Sequence, residues 1–307
     1  MVRYIAFYYD HTKEGVYKEF KLFFETNLDV TKNILIIGPH IKKNHMKIIR
    51  KSQSAHKILV IFEPIKNVPK YYKLLYNLII NCRGQTNNKN NFKLFGSVQH
   101  NLNSNLIHCK FPLYLFKAFN HNDSNQLLST NNYVKSISQC SLQQKNFCCL
   151  INKWDPNGHR TKVHNLLCKL GKICCPSDLL NNCSNKELNL IGKNKYIKEY
   201  LFSICSENFD INTYPGYITE KLMDVCLGCA IPIYSGWFDE YDNKIFNKNR
   251  IIFYRSNEQA SFDNMFKKIK ELVEDQVKLL TFYKQPVFCE TAFETIQQLK
   301  NDFIKNY

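Results

Sequence analysis

Residues 200–236 read Y-L-F-S-I-C-S-E-N-F-D-I-N-T-Y-P-G-Y-I-T-E-K-L-M-D-V-C-L-G-C-A-I-P-I-Y-S-G, and the order of patterns within them decides the fold. An apolar run from Leu201 to Cys205 ends in the polar trio Ser206, Glu207 and Asn208. A loop follows and closes on Pro215-Gly216. Leu222, Val225, Cys226 and Cys229 then recur at i, i+3, i+4 and i+7, the spacing of one helix face. Ala230 to Tyr234 is apolar again and stops at Ser235-Gly236. Strand, loop, helix, strand is a βαβ unit. Open α/β sheets bind ligands beyond the carboxyl ends of their strands, opposite helix N-termini. Glu207, Asn208, Tyr217, Thr219, Glu220 and Lys221 all fall at that edge.

The first turn of a helix offers unpaired N–H groups and a partial positive charge, so it attracts phosphate. Lys221 in that turn adds a second cation for the same anion, at a place where the macrodipole favours acids. Glu220 suits the dipole and has the acceptor oxygens to hold a sugar diol. The plainer reading is a capped surface helix with an ordinary Glu-Lys pair. Periodicity alone leaves both readings standing.

The residues themselves add a resemblance. Glu207-Asn208, then Gly216-Tyr217-Ile218-Thr219-Glu220-Lys221-Leu222, Asp224, and Ile231-Pro232-Ile233-Tyr234 with Gly236 resemble the donor-site signature of the α1,3-fucosyltransferase family. That pattern runs approximately E-N-S, a short variable stretch, G-Y-V-T-E-K-L-x-D-A, then V-P-I-Y-W-G. Phe209 stands where the family has Ser, and Ser235 where it has Trp; the loop from Phe209 to Pro215 is somewhat long. The match spans about an eighth of the chain and is far more specific than a lone G-x-G-x-x-G.

Composition sets the bounds. A chain of 307 residues exceeds the usual single core, so two domains are expected. The net charge of +16 admits three partners: nucleic acid, an anionic membrane or a phosphorylated substrate. The lysines are scattered rather than gathered in a tract, which argues for a solvated surface and against a nucleic-acid arm. The 13 cysteines are odd in number and lie largely in apolar patterns, as reduced, buried residues of a cytoplasmic protein would. Cys226-x-x-Cys229 falls mid-helix with no second pair, so no zinc site is expected. Asp10 interrupts the N-terminal apolar stretch before a signal sequence forms, and no run is long enough to span a bilayer. The sequons at Asn122 and Asn182 are read as chance matches.

Along the chain, residues 2–9, 33–38, 57–62 and 74–80 read as strands, and 14–24 as a helix. This alternation indicates an α/β domain. Residues 81–105 are asparagine-rich and read as a long loop, and 117–145 as irregular. Residues 147–151 form a strand candidate, followed by a turn-rich loop and a helix opened by Arg160 with Val163, Leu166, Leu167 and Leu170 on one face. Residues 178–194 read as loop, 251–254 as a strand, and 261–273 and 293–303 as helices. Shorter elements extend the resemblance. Ile61-Phe62-Glu63-Pro64 is similar to the family's strand-end glutamate, and Lys110 to Tyr114 to its R-x-P-L-Y element. Arg160 is similar to an arginine that opens a comparable helix, and the segment from Phe246 to an F-N element. No P-loop, H-E-x-x-H, G-x-S-x-G or Asp-x-Asp motif occurs.

What the resemblance implies is an α/β protein of the GT-B class, with two Rossmann-like domains facing across a cleft. Residues 1–145 would bind the acceptor, 146–275 the nucleotide sugar, and 276–307 would form a helical segment crossing back. The chain would be a soluble, bacterial- or viral-like inverting transferase, moving fucose from GDP-fucose to a glycan or glycoprotein hydroxyl in an α1,3-type linkage. Glu63 would be the general base. Arg160 and Lys221 would share the pyrophosphate and Glu220 the ribose. Asn208, Tyr217 and Thr219 would line the pocket, with Glu207 near the fucose or phosphates. No cofactor is required on this reading, and a divalent cation (Mg or Mn) would at most stimulate. Two alternatives stay open: a transferase of another nucleotide sugar, and a non-catalytic, basic relative binding nucleic acid or glycan.

Overall fold

A computed structural model gives the structure of the protein. It describes residues 2–5, 24–26, 33–38, 43–51, 56–61, 70, 73–74, 92–96, 108–110, 112–119, 124–208 and 216–306. The chain packs as two units, Met1–Asn120 with Ile296–Tyr307, and His121–Thr295.

The first unit holds strands β1 (Val2–Ile5), β2 (Ile34–Ile37), β3 (His56–Ile61), β4 (Phe92–Gly96) and β5 (His108–Lys110). They pair in parallel and in simple sequential order. Parallel strands are covered on both faces, so they read as unbroken apolar runs. Ile34 to Ile37 and Ile58 to Val60 are accordingly buried, and Phe24 packs edge-on against Phe303 with ring centroids 5.3 Å apart.

One expectation fails in this unit, and another falls largely outside the described residues. The fourth strand was expected at 74–80, but Leu74 is helical and 75–80 lie outside the described residues. The fourth strand among the described residues is Phe92–Gly96, inside the stretch expected to be loop. Its two phenylalanines and Leu94 supply β propensity, and β3 supplies a partner from Lys57 to Ile61. The surrounding asparagines hid a five-residue pattern.

The second unit holds β6 (Asn146–Leu150), β7 (Ile173–Cys174), β8 (Tyr200–Ile204), β9 (Ile231–Tyr234) and β10 (Ile252–Phe253). All pair in parallel, in the order β10-β9-β8-β6-β7. Counted from β6 the order is 2-1-3-4-5, which reverses direction between β6 and β8. That reversal is the topological switch point of a doubly wound sheet, where ligands bind. The simple order of the first sheet has no such point among its described strands.

The helices around this sheet follow their apolar spacing. Gln259–Glu274 buries Phe262, Met265, Ile269 and Leu272, as the sequence pattern requires. Glu220–Leu227 buries Leu222, Met223, Val225 and Cys226. It stops sooner than expected: Cys229, the last residue of the periodic stripe, lies past the helix in a left-handed conformation at φ 62°. Gly228 is the C-cap, and the position excludes a side chain because a Cβ there would sit 2.6 Å from Ile197 Cγ2 and 3.0 Å from the Asn194 carbonyl. Arg250, itself buried, donates from Nη2 to the Cys229 carbonyl at 2.7 Å and from Nη1 to Ala230 O at 2.8 Å.

Two stretches expected to be irregular are helical. Ser124–Ser136 and Gln139–Gln143 occupy most of 117–145, and Lys186–Ile191 and Lys193–Ile197 occupy the end of 178–194. In the first, Leu127, Thr130 and Val134 turn inward together. The stripe was obscured by Thr130, whose hydroxyl is satisfied by donating to Gln126 O at 2.8 Å. Among the described residues no helix is long and apolar enough to cross a membrane.

Candidate functional site

The site is built where β6 and β8 end. Leu150 and Ile204 are register partners, so the two chains leave the sheet side by side. From Leu150 the chain runs through Asn152 to Asn157 into the helix His159–Leu167. From Ile204 it runs through Ser206, Glu207 and Asn208 towards the helix Glu220–Leu227.

The first loop is held by Asp155. Its Oδ2 accepts from Thr161 N at 2.8 Å and Thr161 Oγ1 at 2.7 Å, and its Oδ1 from Arg160 N at 3.2 Å. A carboxylate thus caps a helix whose N-cap residue, Gly158, is left-handed at φ 69°. Burial pushes the Asp155 carboxyl up, but these hydrogen bonds outweigh it and hold it below the ordinary aspartate value.

Arg160 is fully buried and acts as a bracket between the two loops. Its Nη1 donates to the Trp154 carbonyl. Its Nε and Nη2 both donate to Ser206 O, at 3.2 and 2.5 Å, and Nη2 also to Asn208 Oδ1 at 2.8 Å. The planar fork of donors suits this task, which a lysine could not perform. His159 makes a second tie. Its Nε2 is 3.1 Å from Glu207 O and its Nδ1 2.7 Å from Tyr254 OH. Because a carbonyl only accepts, Nε2 carries a proton and donates it to Glu207 O.

Glu207 is the hub of the second loop and is fully buried. Oε1 accepts from Thr219 N at 2.8 Å, Thr219 Oγ1 at 3.1 Å and Tyr234 OH at 3.3 Å. Oε2 accepts from Thr219 Oγ1 at 2.8 Å and Lys221 Nζ at 3.2 Å. Lys221 Nζ also lies 3.1 Å from Thr219 Oγ1, and its side chain is 13% exposed. Burial and the Glu207 charge push the Tyr234 hydroxyl well above its ordinary value, so it stays a proton donor to that carboxylate.

Of the residues singled out from sequence, the structure joins Arg160 to Asn208, and Glu207 to Thr219 and Lys221. Tyr217 is buried, and Glu220, half-buried, opens the helix. Glu63 lies outside the described residues. The roles differ from the expectation in one respect. The side-chain donors of Arg160 are directed at Trp154, Ser206 and Asn208, and the Glu207 carboxylate at Thr219, Tyr234 and Lys221, so both hold the loops in place. Asp155, His159 and Tyr254 were missed by sequence reasoning. Asp155 carried a signal, the turn tetrapeptide Asp155-Pro156-Asn157-Gly158 ahead of a helix; His159 and Tyr254, 95 residues apart, carried none. Among the described residues no group of three or more His, Cys, Asp or Glu could hold a metal ion.

No protein-family model matches the sequence, and no curated protein matches it. Solved structures do. A crystal structure of an α1,3-fucosyltransferase matches with a TM-score of 0.62 at 16% identity, over 99% of this chain and 89% of that one. An α1,3-fucosyltransferase with GDP matches at a TM-score of 0.59 and 15% identity, over 99% of this chain and 89% of that one. An α1,3-fucosyltransferase with GDP-fucose matches at 0.53 and 14%, over 89% and 78% of the two chains. The chain therefore shares the fold of those structures, an α/β fold of the GT-B class with parallel sheets.

Proposed function

We propose that this chain is an inverting glycosyltransferase that moves fucose from GDP-fucose to a hydroxyl of a glycan acceptor. The observation that carries the reading is the Glu207–Thr219–Lys221 network at the switch point of the second sheet. It is built from the residues whose order resembles the fucosyltransferase donor signature. The shared fold, and the GDP and GDP-fucose named with two of the similar structures, support it further.

In the proposed reaction an acceptor oxygen attacks the anomeric carbon of the donor. The bond from that carbon to the phosphate oxygen breaks, and its electron pair leaves with GDP. Glu63 takes the acceptor proton. Lys221, with the N-terminus of Glu220–Leu227, meets the charge growing on the diphosphate. Glu220 accepts hydrogen bonds from the ribose, and Asn208, Tyr217 and Thr219 line the donor pocket. Arg160 keeps the edge of that pocket rigid, so the groups facing the donor are in place before it arrives.

The test is a calorimetric screen of the purified chain against GDP, GDP-fucose and other nucleotide sugars, followed by turnover with glycan acceptors. Binding of GDP and GDP-fucose above the others is expected. Preference for a different nucleotide sugar would replace the donor, and salt-sensitive oligonucleotide binding without any nucleotide-sugar affinity would replace the function. Turnover is expected to persist in EDTA; complete, reversible loss would require a metal in the mechanism.

A further inference from the structure

Lys193 is a cation of this region that the signature does not include. It opens the short helix Lys193–Ile197, directly after Gly192 at φ 82°. A positive charge at a helix start opposes the macrodipole, so local helix formation does not account for a lysine there. Its Nζ lies 2.8 Å from Asp224 Oδ2, and Asp224 is almost fully buried while the lysine side chain keeps 29% of its surface exposed. Asp224 sits on the helix Glu220–Leu227, four residues after Glu220. Residues at i and i+4 share a helix face, and like charges at that spacing repel. One ammonium against that face offsets the repulsion.

We propose that Lys193 is a positioning residue for the nucleotide site: paired with Asp224, it holds Glu220, one turn earlier on the same face, in the orientation that receives the donor's ribose. This rests on the reading of Glu220 given above. Electrostatics agree with the geometry. Burial would lower the pKa of this ammonium, but the carboxylates of Asp224 and then Glu220 outweigh it and hold the lysine above its usual range. The same charge pulls down on the thiols of Cys149 in β6 and Cys205 just past β8, two elements that flank the switch point. Lys193 therefore remains charged at neutral pH and acts between β6, β8 and the helix that begins with Glu220. Without it, Glu220 is left facing the charge of Asp224 and turns away from it.

A plain tie between two helices would give the same 2.8 Å contact, so the test must follow the route through Glu220. GDP affinity is measured by calorimetry for the wild type, Lys193→Met, Lys193→Arg, Glu220→Gln and the double variant Lys193→Met/Glu220→Gln, with thermal midpoints in parallel. Lys193→Met is expected to weaken GDP binding on the order of tenfold, the scale of one charge-assisted contact. Lys193→Arg, which keeps the charge, restores most of it. In the Glu220→Gln background the Lys193 substitution weakens binding no further. Equal losses with and without Glu220, or unchanged affinity in Lys193→Met, overturn the proposal. Lys193→Gln serves the same comparison if Lys193→Met does not fold. A wild type that binds no GDP refutes the functional reading itself, and this inference with it.

Discussion

Lys221 and Glu207 are coupled so closely that neither can be changed alone without cost. Removing the lysine leaves a fully buried carboxylate with neutral donors only. Breaking a buried pair on one side typically costs about 3–5 kcal/mol; the bonds from Thr219 and Tyr234 put this pair at the lower end. Lys221→Ala is therefore expected to lower the unfolding midpoint and abolish GDP binding together. The double variant Glu207→Gln/Lys221→Met should regain much of the stability and none of the binding. If Lys221→Ala loses binding at an unchanged midpoint, the lysine serves the ligand alone. Glu63 belongs to a different argument, since it rests on sequence: a carboxylate at a strand's end, fixed in exit direction by Pro64. Glu63→Gln keeps shape but cannot take the proton, so turnover should fall about 10²–10⁴-fold with GDP-fucose binding little changed. Turnover near that of the wild type would remove Glu63 from the mechanism.

At the scale of elements, the helices that border the site begin on internal carboxylates. Asp155 caps His159–Leu167, and Glu207 accepts the N–H of Thr219, the N-cap of Glu220–Leu227. The first has a consequence for pH. Asp155 is held below its ordinary value in the folded chain, so the folded state binds this proton less tightly than the unfolded state does. Its contribution is complete above about pH 4, the value of an unfolded aspartate, and is lost as pH falls through the depressed folded value. Replacing a capping acid costs about 1 kcal/mol. Asp155→Asn should lower stability by that order at neutral pH and flatten its acid limb, as read from denaturant unfolding at a series of pH values. Identical acid slopes in the two proteins would show that the cap does not titrate in this range. These caps were only partly legible in the sequence. Thr219 is an N-cap residue type in the right place, whereas Glu207 reaches its helix across the whole loop.

At the scale of the molecule, the cysteines show how burial governs chemistry. The 11 cysteines whose side chains are described are free thiols, and burial raises Cys149, Cys175 and Cys226 to about 12. Cys148 and Cys205 are pushed well above the ordinary thiol value by the same desolvation. At pH 8 the native chain should titrate only slowly beyond its exposed thiols, Cys140 and Cys168 first. On denaturation of protein made under reducing conditions nearly all 13 should react. Several protected pairs in that experiment would contradict the reading of these residues as reduced packing groups. The +16 charge is a property of the same scale. It favours anionic ligands in general and cannot select one, because selection depends on which cations reach a crevice and which are committed inside the fold.

The sequence by itself determined the alternation of strand and helix through the second unit, the edge at which polar residues gather, and Glu207, Thr219 and Lys221, which form the network. Those features are written in local order, and local order survives in one dimension. It did not reveal the short β4 among asparagines, which shows itself only once β3 pairs with it, or the helix over 124–136, whose buried stripe holds a threonine satisfied within the helix itself. Only the tertiary structure decided the strand order that creates a switch point. Only it turned Arg160 inward onto the carbonyls of Trp154 and Ser206. It also brought Lys193 to Asp224, 31 residues away, and His159 to Tyr254. Pairings at such separation depend on how the chain returns upon itself, and periodicity within a window of residues carries no record of that return.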